Sequence, residues 1–85
     1  MTLNFTKKAE KGYQDLPAKV QRKADKQFNL LIENYRHPSL RTRKMGGSNK
    51  FEGRIDIHYR FTFKPGGEEI HVLTVGSHDV GLGKK

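Results

Sequence analysis

The sequence predicts an α+β domain in the order strand, helix, helix, strand, strand, strand. Two stretches carry most of that reading. From Phe51 to Phe63 every second residue is apolar or small: Phe51, Gly53, Ile55, Ile57, Tyr59, Phe61 and Phe63. A period of two means β-structure with one face buried. From Pro17 to Tyr35, the residues Val20, Ala24, Phe28, Leu31 and Tyr35 follow spacings of 4, 4, 3 and 4, which places them on one stripe of a helix.

Taken in order, Leu3 and Phe5 alternate with Thr2, Asn4 and Thr6, a short first strand with Thr6 as N-cap of the next element. That element is a short basic helix expected from Lys7 to Gln14, with Ala9 and Tyr13 on one face; Gly12 weakens it by about 1 kcal/mol relative to alanine. Asp15-Leu16-Pro17 breaks the chain, and Pro17 suits the first turn of the long helix. His37-Pro38 ends that helix. Residues 37–49 read as a charged, glycine-rich loop, either a mobile basic arm or a solvated connector. In the alternating segment the parity never flips, so a three-residue connection around Ile55-Asp56-Ile57 is expected, pairing Arg54 with His58 and Glu52 with Arg60. Lys64-Pro65-Gly66-Gly67-Glu68 is a second turn. Ile70 to Val75 is then a strand with apolar residues on both faces, hence central in its sheet. No structure is expected from Val80 to Lys85.

A length of 85 residues bounds the chain to one domain, 1–85, with one small core. It contains no cysteine, which removes disulfides and thiolate metal sites and fits a reducing compartment. No apolar run approaches the roughly 20 residues of a membrane span, and the first residues lack the apolar core of a secretory signal. The expectation is a soluble, cytoplasmic protein. Seventeen basic residues against nine acidic ones give a net charge of +8, which attracts polyanions such as nucleic acid.

The polar face of the alternating segment carries Glu52, Arg54, Asp56, His58, Arg60 and Thr62. Arginine and histidine beside a carboxylate on a rigid sheet are what phosphate-directed chemistry needs. The same arginines would also serve as a surface ladder with Glu52 and Asp56, worth roughly 0.2–1 kcal/mol per pair. Histidines 37, 58, 71 and 78 have no recognised metal-ligand spacing. The stripe of the long helix reads as core, with no cofactor motif, and no cofactor is expected.

A resemblance covers nearly the whole chain. It rests on the opening strand ending in Phe5, Leu16-Pro17 before the long helix, and the exit His37-Pro38-Ser39-Leu40. It continues with Lys44-Met45-Gly46, Arg54-Ile55, Tyr59-Arg60 before an aromatic strand, and the closing Val75-Gly76-Ser77-His78-Asp79. In this order and spacing the chain resembles a toxin of the RelE/ParE superfamily of bacterial type II toxin–antitoxin systems.

The resemblance implies two N-terminal helices packed on a four-stranded, mostly antiparallel sheet, and an antitoxin partner. In its RelE-like branch it implies a metal-independent, ribosome-dependent mRNA endonuclease, an mRNA interferase that inhibits translation. In its ParE-like branch the target is DNA gyrase and no RNA is cut; a catalytically inactive RNA-binding module is a third reading. For the nuclease, Arg54 and Arg60 match family arginines that hold phosphate. His78 stands where the family's motif places a functional residue and is the first choice for proton transfer; the alternative is that His78-Asp79 caps the strand end. His58 and Glu52 are the assisting acid–base candidates. Arg41, Arg43, Lys44 and Lys50 would dock RNA through its phosphates. Many nuclease members carry an aromatic residue a few positions after that of His78, and Val80 to Lys85 contains none.

Overall fold

The computed structural model describes residues 2–47 and 49–77. Strand β1 (Thr2–Phe5) leads into α1 (Lys7–Gln14) and α2 (Ala18–Glu33). A 3₁₀ turn (Pro38–Leu40) precedes β2 (Arg43–Lys44), β3 (Phe51–Arg54), β4 (Tyr59–Gly66) and β5 (Glu69–Ser77). The strands form one sheet in the order β1-β5-β4-β3-β2. Only β1 and β5 are parallel, with Leu3 opposite Ile70 and Phe5 opposite Val72.

The early elements form where local chemistry puts them. The Thr6 hydroxyl accepts the Ala9 N–H at 3.0 Å and donates to the Leu73 carbonyl at 2.8 Å, capping α1 and tying it to β5. Gly12 has a tertiary reason that offsets its poor helix propensity. A Cβ there would lie 1.9 Å from the Val75 carbonyl oxygen, so only glycine lets α1 lie this close to β5. Helix α2 runs from just after Pro17, and its stripe enters the core through Val20, Ala24, Phe28 and Leu31. It ends at Glu33, short of Tyr35: Asn34 turns extended while its N–H still reaches the Leu30 carbonyl. Tyr35 lies beyond the helix and packs on Phe51 and Phe63 at ring distances of 6.2 and 6.1 Å.

The core joins both helices to one face of the sheet. Phe28 meets Phe5 at 5.2 Å and Phe61 at 5.1 Å, both edge to face. Phe61, Phe63, Ile70 and Val72 are fully buried beneath them, each worth roughly 1.5–3 kcal/mol of burial. Gly53 faces Phe61 across β3–β4; a Cβ there would meet the Phe61 ring at 2.4 Å.

Four expectations need correction. The sheet has five strands, not four, because the basic connector contains β2: Arg43 pairs with Glu52 and Lys44 with Phe51. The hairpin closes through Met45 N–H to the Lys50 carbonyl, 2.9 Å, with Gly46 at φ +55°. The β3–β4 connection is longer than expected, and Arg54 pairs with Arg60, not His58, while Glu52 pairs with Thr62. Parity is preserved and the register moves by two residues, because Asp56 organises the loop through its carboxylate. Ile57, expected inside, stands at the loop apex with 71% of its surface exposed. Finally, β5 does not bury both faces. Leu73 is left unpaired where Thr62 meets Thr74 and Phe63 meets Val72. This bulge flips the parity, so Ile70, Val72 and Val75 all reach the same core.

Candidate functional site

The face of the sheet away from the helices carries two cross-strand rows. One runs Arg43, Glu52, Thr62, Thr74 across β2 to β5; the Thr62 and Thr74 hydroxyls lie 2.7 Å apart. The other runs Arg54, Arg60, Gly76. Two arginines therefore stand directly opposite each other, a like-charged arrangement that destabilises an isolated sheet. Both are half-buried. Among the described residues neither forms an ion pair with a carboxylate. The alternative reading, a ladder of these arginines with Glu52 and Asp56, does not form: Glu52 goes to Arg43 and Asp56 to Lys23.

Each arginine is positioned from behind. The Arg54 carbonyl accepts the Gln27 side-chain amide at 2.8 Å, and the same amide donates to the Ser39 carbonyl at 3.1 Å. Gln27 thus ties α2, the 3₁₀ turn and the end of β3 together. Arg60 Nη1 donates to the carbonyls of Asp56 and Tyr59, which fixes the guanidinium; its other N–H groups have no partner among the described residues.

The loop between the arginines is held by Asp56. Its Oδ1 accepts the His58 N–H at 2.8 Å and the Tyr59 N–H at 3.0 Å, and its Oδ2 lies 3.6 Å from Lys23 Nζ. Burial pushes the Asp56 carboxyl up, but those two N–H groups and the Lys23 ammonium outweigh it and hold it below its ordinary value. Asp56 stays ionised and structural, so the loop presents His58 from a fixed backbone. The His58 residue is exposed, and among the described residues its ring makes no hydrogen bond.

Glu52 is 6% exposed. One carboxylate oxygen sits 3.6 Å from Arg43 Nε, and the other, Oε2, has no hydrogen-bond partner among the described residues. A buried carboxylate oxygen without a described partner demands an explanation, and here it shares a sheet face with two arginines that no described carboxylate pairs. Of the other basic candidates, Arg41 is exposed in a left-handed conformation at φ +48° after the 3₁₀ turn. Arg43 and Lys44 lie on β2, and Lys50 is exposed beside β3. His78 lies outside the described residues, as does the rest of the closing segment. Among the described residues no group of three or more His, Asp or Glu is placed to hold a metal.

Sequence reasoning passes over Gln27 and Lys23. Gln27 has a signal: it lies three residues after Ala24 and four before Leu31, on the buried stripe, where an amide needs partners. Lys23 has none, since its role depends on a loop more than 30 residues away in sequence.

No protein-family model matches the chain, and no curated protein sequence matches it. Solved structures do. A YoeB/ParE toxin from Agrobacterium tumefaciens superimposes with a TM-score of 0.79 at 18% identity, over 92% of this chain and 99% of that one. The toxin of the intact E. coli RelBE toxin–antitoxin complex gives 0.74 at 20% identity, over 89% and 94%. YafQ from E. coli gives 0.77 at 11% identity, over 92% and 93%. Identities this low speak for the fold, and the agreement in length and topology is nearly complete. The fold of this chain is therefore that of the RelE/ParE-like toxins.

Proposed function

We propose that this protein is the toxin of a type II toxin–antitoxin system and acts as a ribosome-dependent mRNA endonuclease. The observation that carries the reading is the Arg54–Arg60 pair: two half-buried arginines are cross-strand partners with no carboxylate paired to either among the described residues. Such a pair is costly empty and favourable when a phosphate bridges it. Its position next to the orphaned Glu52 oxygen supplies the second requirement, a proton acceptor.

A base takes the proton of a ribose 2′-hydroxyl, and the 2′-oxygen attacks the adjacent phosphorus. The P–O5′ bond breaks to leave a 2′,3′-cyclic phosphate, and an acid protonates the departing 5′-oxygen. Arg54 and Arg60 hold the phosphate as negative charge builds on it. Glu52, His58 and, beyond the described residues, His78 are the candidates for the base and the acid. No metal is required by this scheme. Arg41, Arg43, Lys44 and Lys50 add the basic surface that docks ribosomal RNA. One of the similar structures is a toxin–antitoxin complex, and an antitoxin with acidic character would complement the +8 charge of this chain.

The test is mRNA cleavage on translating ribosomes with purified protein, comparing the natural sequence with Arg54→Ala, Glu52→Gln and His78→Ala. Position-specific cuts that vanish in Arg54→Ala support the proposal. Intact mRNA and unimpaired translation overturn it; inhibition of gyrase supercoiling by the same preparation would then assign the protein to the non-nucleolytic branch.

A further inference from the structure

Where β4 begins and β5 ends, a cavity of about 310 Å³ opens between α1 and the two strands. It exists because Gly12 lets α1 lie against the Val75 carbonyl, which brings Lys8 and Lys11 of the same helix to the strand ends. Tyr59 and its cross-strand partner Ser77 form the opposite wall.

The Tyr59 backbone is held in place, and its half-buried side chain packs against the edge of the core. Its N–H goes to Asp56 Oδ1 at 3.0 Å, and its carbonyl accepts the N–H groups of Ile55 and Asp56 at 3.0 and 3.2 Å. Its hydroxyl has no hydrogen-bond partner among the described residues. Lys8 forms no ion pair among them. Lys11 pairs with Asp15, which also lines the cavity, at 3.3 Å, but both side chains are largely exposed. Such a pair is worth little and exchanges readily for another anion.

A half-buried aromatic ring lining a cavity with two lysines and a serine is the equipment of a single-stranded nucleic-acid site: the ring stacks a base and the cations track the backbone. A larger cavity, about 570 Å³ between β1, α1 and α2, is lined by Glu10 and Asp25 and by no basic residue among the described ones, and would repel an anion. Position adds to chemistry. Tyr59 and Arg60 are successive residues of β4, and their partners Ser77 and Gly76 are successive on β5. The cavity and the arginine pair therefore adjoin at one end of the sheet, on its two sides.

We propose that this cavity is a nucleotide subsite: the base next to the phosphate held by Arg54 and Arg60 stacks on Tyr59, and its own phosphate rests on Lys8 and Lys11. This rests on the reading of the arginine pair as a phosphate holder. RNA thus bends around the end of the sheet, and Tyr59 contributes to the choice of the base beside the cut.

The test measures binding of a fluorescently labelled 2′-O-methyl RNA hexamer, which lacks the attacking hydroxyl, to the full chain by anisotropy at several salt concentrations. Tyr59→Leu should weaken binding about tenfold or more while Tyr59→Phe keeps it, as stacking requires. Lys8→Gln, an exposed change that does not threaten folding, should lower the slope of log K against log salt by about 0.7. If Arg54→Ala weakens binding but Tyr59→Leu and Lys8→Gln match the natural protein, the subsite is wrong and the arginine reading survives. If Arg54→Ala also binds normally, or the natural protein does not bind, both fall.

Discussion

The two sides of the sheet are built from the same strands under different rules. On the helix side each cross-strand neighbour solves a packing problem: Gly53 makes room for Phe61, Phe51 stacks on Phe63 at 5.6 Å, and the bulge at Leu73 turns Val75 back into the core. On the other side the Thr62–Thr74 and Arg43–Glu52 neighbours support one another, but two features conflict. Arg54 opposes Arg60, and a buried Glu52 keeps an oxygen without a partner among the described residues. One side is packed for stability; the other carries a like-charged pair, which the proposed function reads as a holder for a phosphate. Local conflicts of this kind concentrate where proteins act.

Four experiments break or sharpen that contrast. The largest effect belongs to the packed side. Phe61→Ala should cost about 3–5 kcal/mol, a large part of the roughly 5–15 kcal/mol typical of a whole domain, measured by urea unfolding. A loss below about 1 kcal/mol would show that this side is not what holds the protein together. Next comes the open side: Arg54→Ala should reduce RNA cleavage by roughly 10²–10³-fold while leaving the thermal midpoint unchanged or raised, because a like-charged neighbour is removed. A clear drop in the midpoint would make Arg54 a structural residue.

Gly12→Ala is third. Helix propensity alone favours it by about 1 kcal/mol, but the contact with Val75 should reverse the sign and cost about 1–3 kcal/mol. A stabilised variant would sink the close approach of α1 to β5. The smallest effect is the pH dependence of the loop. The Asp56 carboxyl is held below its ordinary value of 3.8, so its charge contributes stability above that value and loses it as the pH falls through the lower folded value. The stability gap between the natural protein and Asp56→Asn should therefore be constant near neutrality and narrow only below about pH 4. A gap that narrows between about pH 5 and 7 would point to another group.

Much of the fold was legible because its signals are local. Thr6 announced α1, the 4-4-3-4 stripe announced α2, and the turn at Gly67, φ +61°, came where glycine and proline cluster. The site was only half legible. Alternation put Arg54, Arg60, Glu52 and His58 on one polar stretch, but it pointed to Arg54 opposite His58 and Glu52 opposite Arg60. Loop length decides register, and that length is set by Asp56 accepting two N–H groups and by Lys23 from α2, neither of which has a period to read.

By itself the sequence determined the element types, their order and the sides of β3 and β4, because propensity, capping and alternation act within a few residues. Only the tertiary structure decided that β1 runs parallel to β5 from the far end of the chain, that two basic residues pair as β2, that Leu73 bulges, and that Arg54 meets Arg60. Each of these depends on groups brought together across loops and core. In this protein the arrangement that points to function is one of them.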